Sequence, residues 1–150
     1  RADLGFLRDG LDIITTDFEM PLKQISVVAT IEEYFEVRSA SRGDSVNYPK
    51  LELSDENIDF GKSSADHPKF HTLSLYNGGV DVLNIRTIKS NCECVDWDLK
   101  KENIPGGDST ILMIKFDPLN RKGRQFKNIT LFTNDPLNST RVISLKAQIP

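Results

Sequence analysis

Residues 4–31 read LGFLRDGLDIITTDFEMPLKQISVVATI, and residues 122–149 read KGRQFKNITLFTNDPLNSTRVISLKAQI. At a constant offset of 118 residues, with no gap, Gly5, Thr15, Asp17, Ile25, Ser26, Ala29 and Ile31 meet Gly123, Thr133, Asp135, Ile143, Ser144, Ala147 and Ile149. Seven identities in 28 positions exceed the roughly one or two that chance supplies, so the chain repeats itself. Each copy has the form of a β-hairpin: a strand ending near Thr and Asp, a proline-containing turn, then a strand with strict alternation. Ile143, Leu145, Ala147 and Ile149 share one face, as do Ile25, Val27, Ala29 and Ile31. A lone hairpin is marginal in water. Residues 1–37 therefore read as the C-terminal hairpin of a preceding repeat, with an apolar face that something must cover.

Outward from the repeat, residues 38–48 (RSASRGDSVNY) are small and polar and contain glycine, which is linker composition. Pro49 opens a series of short strands. Leu51, Leu53, Ile58 and Phe60 lie in two short edge segments, and residues 70–76 alternate with His71, Leu73 and Leu75 on one face. Asn77-Gly78-Gly79 and Ile104-Pro105-Gly106-Gly107 are turn signals. Residues 82–89 and 94–99 follow as strands, the latter with the sole tryptophan, Trp97. Leu112, Ile114 and Phe116 point inward from residues 110–116, and residues 125–133 and 139–149 close the series. Some seven to nine strands in about 100 residues, without helical periodicity, predict an all-β, immunoglobulin-like antiparallel β-sandwich over residues 49–150.

Composition narrows the function classes. A net charge of −3 argues against nucleic acid as partner, because phosphate binding needs a basic excess. The local cluster Arg121, Lys122, Arg124 and Lys127 reads more cheaply as charge guarding a strand against edge pairing. No apolar run reaches the roughly 20 residues of a membrane span. Residues 1–20 lack the basic-then-apolar pattern of a signal peptide, and the chain reads as starting in mid-domain.

In order along residues 57–149 stand Ile58-Asp59-Phe60-Gly61, LSLYNGG (73–79), Leu83-Asn84-Ile85, SNCECV (90–95), Ile104-Pro105-Gly106-Gly107, IKFDP (114–118), Gly123, and Thr133-Asn134-Asp135-Pro136. Each is weak alone; together, in this order and spacing, they resemble a bacterial family known as domain of unknown function 1573. That group is immunoglobulin-like and akin to Hydin-type and major-sperm-protein-like domains. The resemblance implies an exported bacterial protein, periplasmic or on the cell surface, often in tandem arrays and without established activity. The family pattern carries Cys-Gly-Cys-Thr where this chain has Cys92-Glu93-Cys94-Val95, which puts in doubt any role needing a tight Cys-Gly-Cys turn.

Cys92 and Cys94 are the most distinctive chemistry and the speculative binding residues. Side chains at i and i+2 of a strand share a face, with Cα atoms about 6.7 Å apart, so a bridge would need a turn at Glu93. Three readings stand open: two small packed side chains, a soft-metal chelate, or a redox or disulfide pair. Two thiolates are too few for structural zinc, and His67 and His71 would complete a set only if their loop folded onto Cys92. His71 reads instead as a hydrogen-bonded histidine at the core edge. Arg42-Gly43-Asp44 matches the tripeptide integrins read, but three residues match easily by chance. Residues 55–66 only faintly resemble a calcium loop, with glycine one position late and Asp66 in place of the final glutamate. Asn128-Ile129-Thr130 and Asn138-Ser139-Thr140 fit the N-glycosylation pattern, which matters only on a eukaryotic secretory route.

No nucleophile–base–orienter set is recognisable, so no catalytic residues, metal or cofactor are expected. The expectation is a non-catalytic binding or scaffolding module whose partner is a protein or a glycan. The alternative is a thiol or soft-metal binding protein centred on Cys92 and Cys94.

Overall fold

Alternating apolar and polar residues make the elements strands, and each strand pair then has one face that must be buried against another. The computed structural model describes residues 3–35 and 47–150. Residues 36–46, which hold most of the expected linker and the Arg42-Gly43-Asp44 match, lie outside the described residues. The chain divides into two units, Arg1–Glu33 and Tyr34–Pro150.

In the first unit, β1 (Gly5–Ile14) pairs antiparallel with β2 (Leu22–Ile31). The second unit holds β3 (Leu51–Leu53), β4 (Asn57–Lys62), β5 (Lys69–Asn77), β6 (Leu83–Ser90), β7 (Val95–Leu99), β8 (Asn103–Ile104), β9 (Ser109–Phe116), β10 (Gly123–Thr133) and β11 (Thr140–Ile149). One sheet runs β4-β11-β10-β6-β8 and the other β3-β5-β9-β7. This is the expected immunoglobulin-like β-sandwich. All pairings are antiparallel except β4 with β11, which is parallel.

Leu73, Leu75, Leu112, Ile114 and Phe116 of one sheet and Ile85, Ile129, Leu131, Ile143 and Leu145 of the other are all at most 4% exposed. Each such side chain contributes about 1.5–3 kcal/mol by leaving water. Two departures from the sequence reading follow from pairing. Ile104 is no turn residue: it pairs with Leu83 in β8 and is fully buried, and the turn begins after it. The strand expected from residue 94 begins at Val95, because Cys94 still belongs to the preceding turn.

The NGG and PGG signals are explained by close approach rather than by freedom of φ alone. A Cβ on Gly79 would stand 2.1 Å from the Tyr48 carbonyl oxygen, and one on Gly106 2.3 Å from that of Val80. Between them sits Asn77, fully buried. Its Oδ1 accepts from the Lys50 and Gly79 amides at 3.2 and 3.0 Å. Its Nδ2 donates to the Asp81 and Ile104 carbonyls at 2.8 and 2.9 Å. One side chain thus binds main-chain groups from three segments.

Candidate functional site

Cys92 and Cys94 sit where β6 has ended. The Ser90 hydroxyl donates to the Cys92 carbonyl at 3.0 Å and accepts from the Cys92 amide at 3.2 Å, turning the chain out of the strand. The Val95 amide returns to the same carbonyl at 3.1 Å, and the Asp117 amide holds the Cys94 carbonyl at 2.8 Å. With the backbone turned at Glu93, the two Cα atoms stand 5.1 Å apart and the sulfurs are joined in a disulfide. The reading as two merely packed thiols is therefore corrected: both are present but bonded to each other, with Cys94 buried and Cys92 half-buried. A bridged pair has no thiolate to offer a soft metal.

The other candidates do not converge. His67 is exposed, while His71 is half-buried with Nε2 3.4 Å from Asp55 Oδ2, without hydrogen-bond geometry. Neither histidine joins the cysteines: among the described residues no group of three or more His, Cys, Asp or Glu could hold a metal ion. Within the calcium-like stretch Asp59 is engaged elsewhere. Its Oδ1 accepts the Gly61 amide at 2.8 Å and its Oδ2 lies 3.3 Å from Lys146 Nζ. The Gly61 amide first, and Lys146 after it, hold the Asp59 carboxyl below the usual carboxylate range. Lys122 and Arg124 of the basic cluster are exposed where β10 begins.

A more orderly constellation lies at the β10–β11 turn. The Thr133 amide donates to the Ser139 carbonyl at 2.8 Å. Asp135 Oδ1 accepts the Leu137 and Asn138 amides at 3.0 and 3.1 Å, and the Thr133 hydroxyl accepts the Asp135 amide at 3.1 Å. Asp135, wholly buried, turns its other oxygen to the Leu51 amide at 2.9 Å. Arg141 Nη1 donates to the Leu51 carbonyl at 3.2 Å, and its Nη2 pairs with Glu56. The hairpin thus grips the first strand of the opposite sheet by both main-chain groups of one residue.

The first unit reproduces this turn bond for bond. The Thr15 amide donates to the Pro21 carbonyl at 2.8 Å. Asp17 Oδ1 accepts the Glu19 and Met20 amides at 3.0 and 3.3 Å, and the Thr15 hydroxyl accepts the Asp17 amide at 3.3 Å. The register agrees as well: Gly5 faces Ile31 as Gly123 faces Ile149, and both glycines take positive φ. The difference lies in the free oxygen. Asp17 Oδ2 is bonded to Lys23 Nζ at 2.9 Å, and Lys23 occupies the position of Arg141.

Residues 51–149 match the family described as protein of unknown function, DUF1573. The chain belongs to that family. The matched DUF1573 region runs from β3 to β11 and leaves the first hairpin outside it. No curated protein matches the chain. Among solved structures, a protein of unknown function from Porphyromonas gingivalis W83 is similar over 97% of this chain and 66% of its own, at 19% identity and a TM-score of 0.70. The secreted serine protease VesC from Vibrio cholerae is similar over 66% of this chain and 23% of its own, at 10% identity and a TM-score of 0.51. The ASH/PapD-like domain of human CEP192 is similar over 79% and 98%, at 14% identity and a TM-score of 0.48. The chain spans about two thirds of the first of these proteins and less than a quarter of the second. At such identities the likeness to the first two establishes the fold alone.

Sequence reasoning marked Thr133-Asn134-Asp135-Pro136 as a motif without a role, and gave Arg141 and Lys23 no role beyond their match in the repeat and Asn77 none beyond its turn. A usable signal existed for the first two: Asp and a basic residue recur six apart in both copies, Asp17 with Lys23 and Asp135 with Arg141. For Asn77 the turn was visible but not the bridge, because two of its four partners, Lys50 and Ile104, each lie 27 residues away in sequence.

Proposed function

We propose that this chain is a non-catalytic binding or scaffolding module of an exported bacterial protein built from tandem immunoglobulin-like repeats. Residues 1–37 are read as the end of one repeat, 38–48 as a linker and 49–150 as the next. The observation that carries the reading is the first hairpin, which repeats the register and turn chemistry of the DUF1573 hairpin but, among the described residues, forms a sheet of two strands alone. Tandem repeats present long, regular surfaces, which suits a scaffold. The partner is a protein or a glycan, met through loops or a free strand edge such as that of β7. The oxidised Cys92–Cys94 pair supports a periplasmic or surface location, where disulfides persist.

The test is made on the protein in the bacterium that produces it. Protease added to intact cells, with fractionation and thiol titration, should find the chain outside the cytoplasm with both cysteines oxidised. Recovery from the cytoplasm with two free thiols would overturn the exported reading, and turnover of general hydrolase substrates would overturn the non-catalytic one. The competing reading as a thiol or soft-metal protein needs Cys92 and Cys94 reduced. It predicts stoichiometric metal by elemental analysis of protein purified under reducing conditions.

A further inference from the structure

The two hairpins allow a position-by-position comparison of what each one's apolar face meets. In the second unit Ile129, Leu131, Ile143 and Leu145 are at most 2% exposed. Their counterparts Leu11, Ile13, Ile25 and Val27 are all apolar, yet are 55, 38, 47 and 56% exposed. Retained apolar side chains at matched positions indicate a face shaped for the same cover, since exposed strand positions are ordinarily polar. The edges repeat the pattern. In the second unit β11 takes β4 in parallel and β10 takes β6, whereas among the described residues β1 and β2 pair only with each other.

We propose that the first hairpin is a docking surface for strands of the kind β3–β9 belonging to a preceding repeat, and that Asp17 and Lys23 clamp the first of those strands. The occupant follows from the second unit, where the same face is covered by those strands. A second copy of this chain is disfavoured, because its own β3–β9 are already covered by its own β10 and β11. On docking, Lys23 Nζ leaves Asp17 Oδ2. The freed oxygen accepts the main-chain amide of an apolar edge residue, as Asp135 accepts that of Leu51, and Lys23 donates to the same residue's carbonyl, as Arg141 does. In the undocked hairpin the Asp17–Lys23 pair satisfies both groups. This clamp rests on the tandem reading given above.

The test extends the full chain: residues 49–121 are repeated directly ahead of residue 4, reproducing the connectivity of the second unit. The extended protein should be monomeric, and the amides of Leu11, Ile25 and Val27 should become protected from hydrogen exchange. Asp17→Ala should then raise the unfolding equilibrium constant of the added repeat by about tenfold or more, while the second unit serves as internal control. Lys23→Arg should match or strengthen docking, and Lys23→Ala should weaken it. Unprotected hairpin amides in the extended chain would sink both the tandem reading and the clamp. Protection that is indifferent to Asp17→Ala and Lys23→Ala would sink the clamp alone. Dimerisation of the unextended chain with protected Ile25 and Val27 would make a second copy the occupant and overturn the proposal.

Discussion

The hairpins β1–β2 and β10–β11 have the same register, the same turn and the same alternation, and differ chiefly in what lies on them. Ile143 is fully buried and Ile25, its identical counterpart, is about half exposed. Local sequence therefore specifies the hairpin's geometry in both places, while its stability depends on the strands that cover it. Asp135 and Asp17 carry the same lesson into polar chemistry. One conformation of one residue type serves as a buried staple in the first case and as an exposed ion pair in the second.

The widest gap between the two regions should come from deleting the matched isoleucines. Ile143→Ala removes a side chain packed on all sides and should cost about 3 kcal/mol of the second unit's stability. Ile25→Ala, in the uncovered hairpin, should change the main unfolding transition by less than about 0.5 kcal/mol. Urea midpoints at unchanged slope would measure both. Equal effects would break the comparison by showing that the first hairpin is already covered in this chain.

Next in size is the aspartate pair. Asp135→Ala leaves the buried Leu51 amide without an acceptor and frees two turn amides, so a loss of about 2–3 kcal/mol is expected. Asp17→Ala frees the same two turn amides but strands nothing buried. Its effect should be confined to hydrogen exchange at Glu19 and Met20, leaving the transition of the second unit in place. A third contrast concerns the disulfide. Titration of the untreated protein should find no free thiol, and reduction should shift the midpoint only slightly, because the loop closed between Cys92 and Cys94 is so short.

Much of this architecture was legible in the residues. Alternation placed Leu73, Leu75, Leu112 and Ile114 on buried faces, and the self-match located both hairpins. What stayed hidden was non-local. The parallel partner of β11 is β4, brought in from more than eighty residues away, and no period-two pattern names a strand's neighbour. Ile104 was misread because proline and two glycines follow it, though its own side chain is core. The Cys92–Cys94 bond depended on a turn that Glu93 does not advertise, since the glycine of the family pattern is missing. Asp135 was visible as a motif but not as a clamp, because its partner Leu51 lies at the far end of the domain.

The smallest effects, and the finest test of the comparison, come from acid. The Asp17 carboxyl is held below the usual range, first by its bond to Lys23 and then by the Glu19 and Met20 amides. Because the folded pKa is depressed, this turn's stabilisation is fully present above the unfolded-chain value of about 4 and is lost as pH falls through the lowered one. Asp59 in the second unit follows the same sign, but with the order of causes reversed: the Gly61 amide acts first and Lys146 after it. Removing the lysine should therefore matter unequally. Lys23→Ala should raise the acid midpoint read from the Glu19 and Met20 amide resonances more than Lys146→Ala raises that of Gly61. If the clamp operates, the contrast sharpens further in the extended chain, where Lys23 has left Asp17 for a main-chain carbonyl. There Lys23→Ala should lose most of its effect on the Asp17 midpoint, because a buried strand amide has replaced the ammonium as the group that holds the carboxylate.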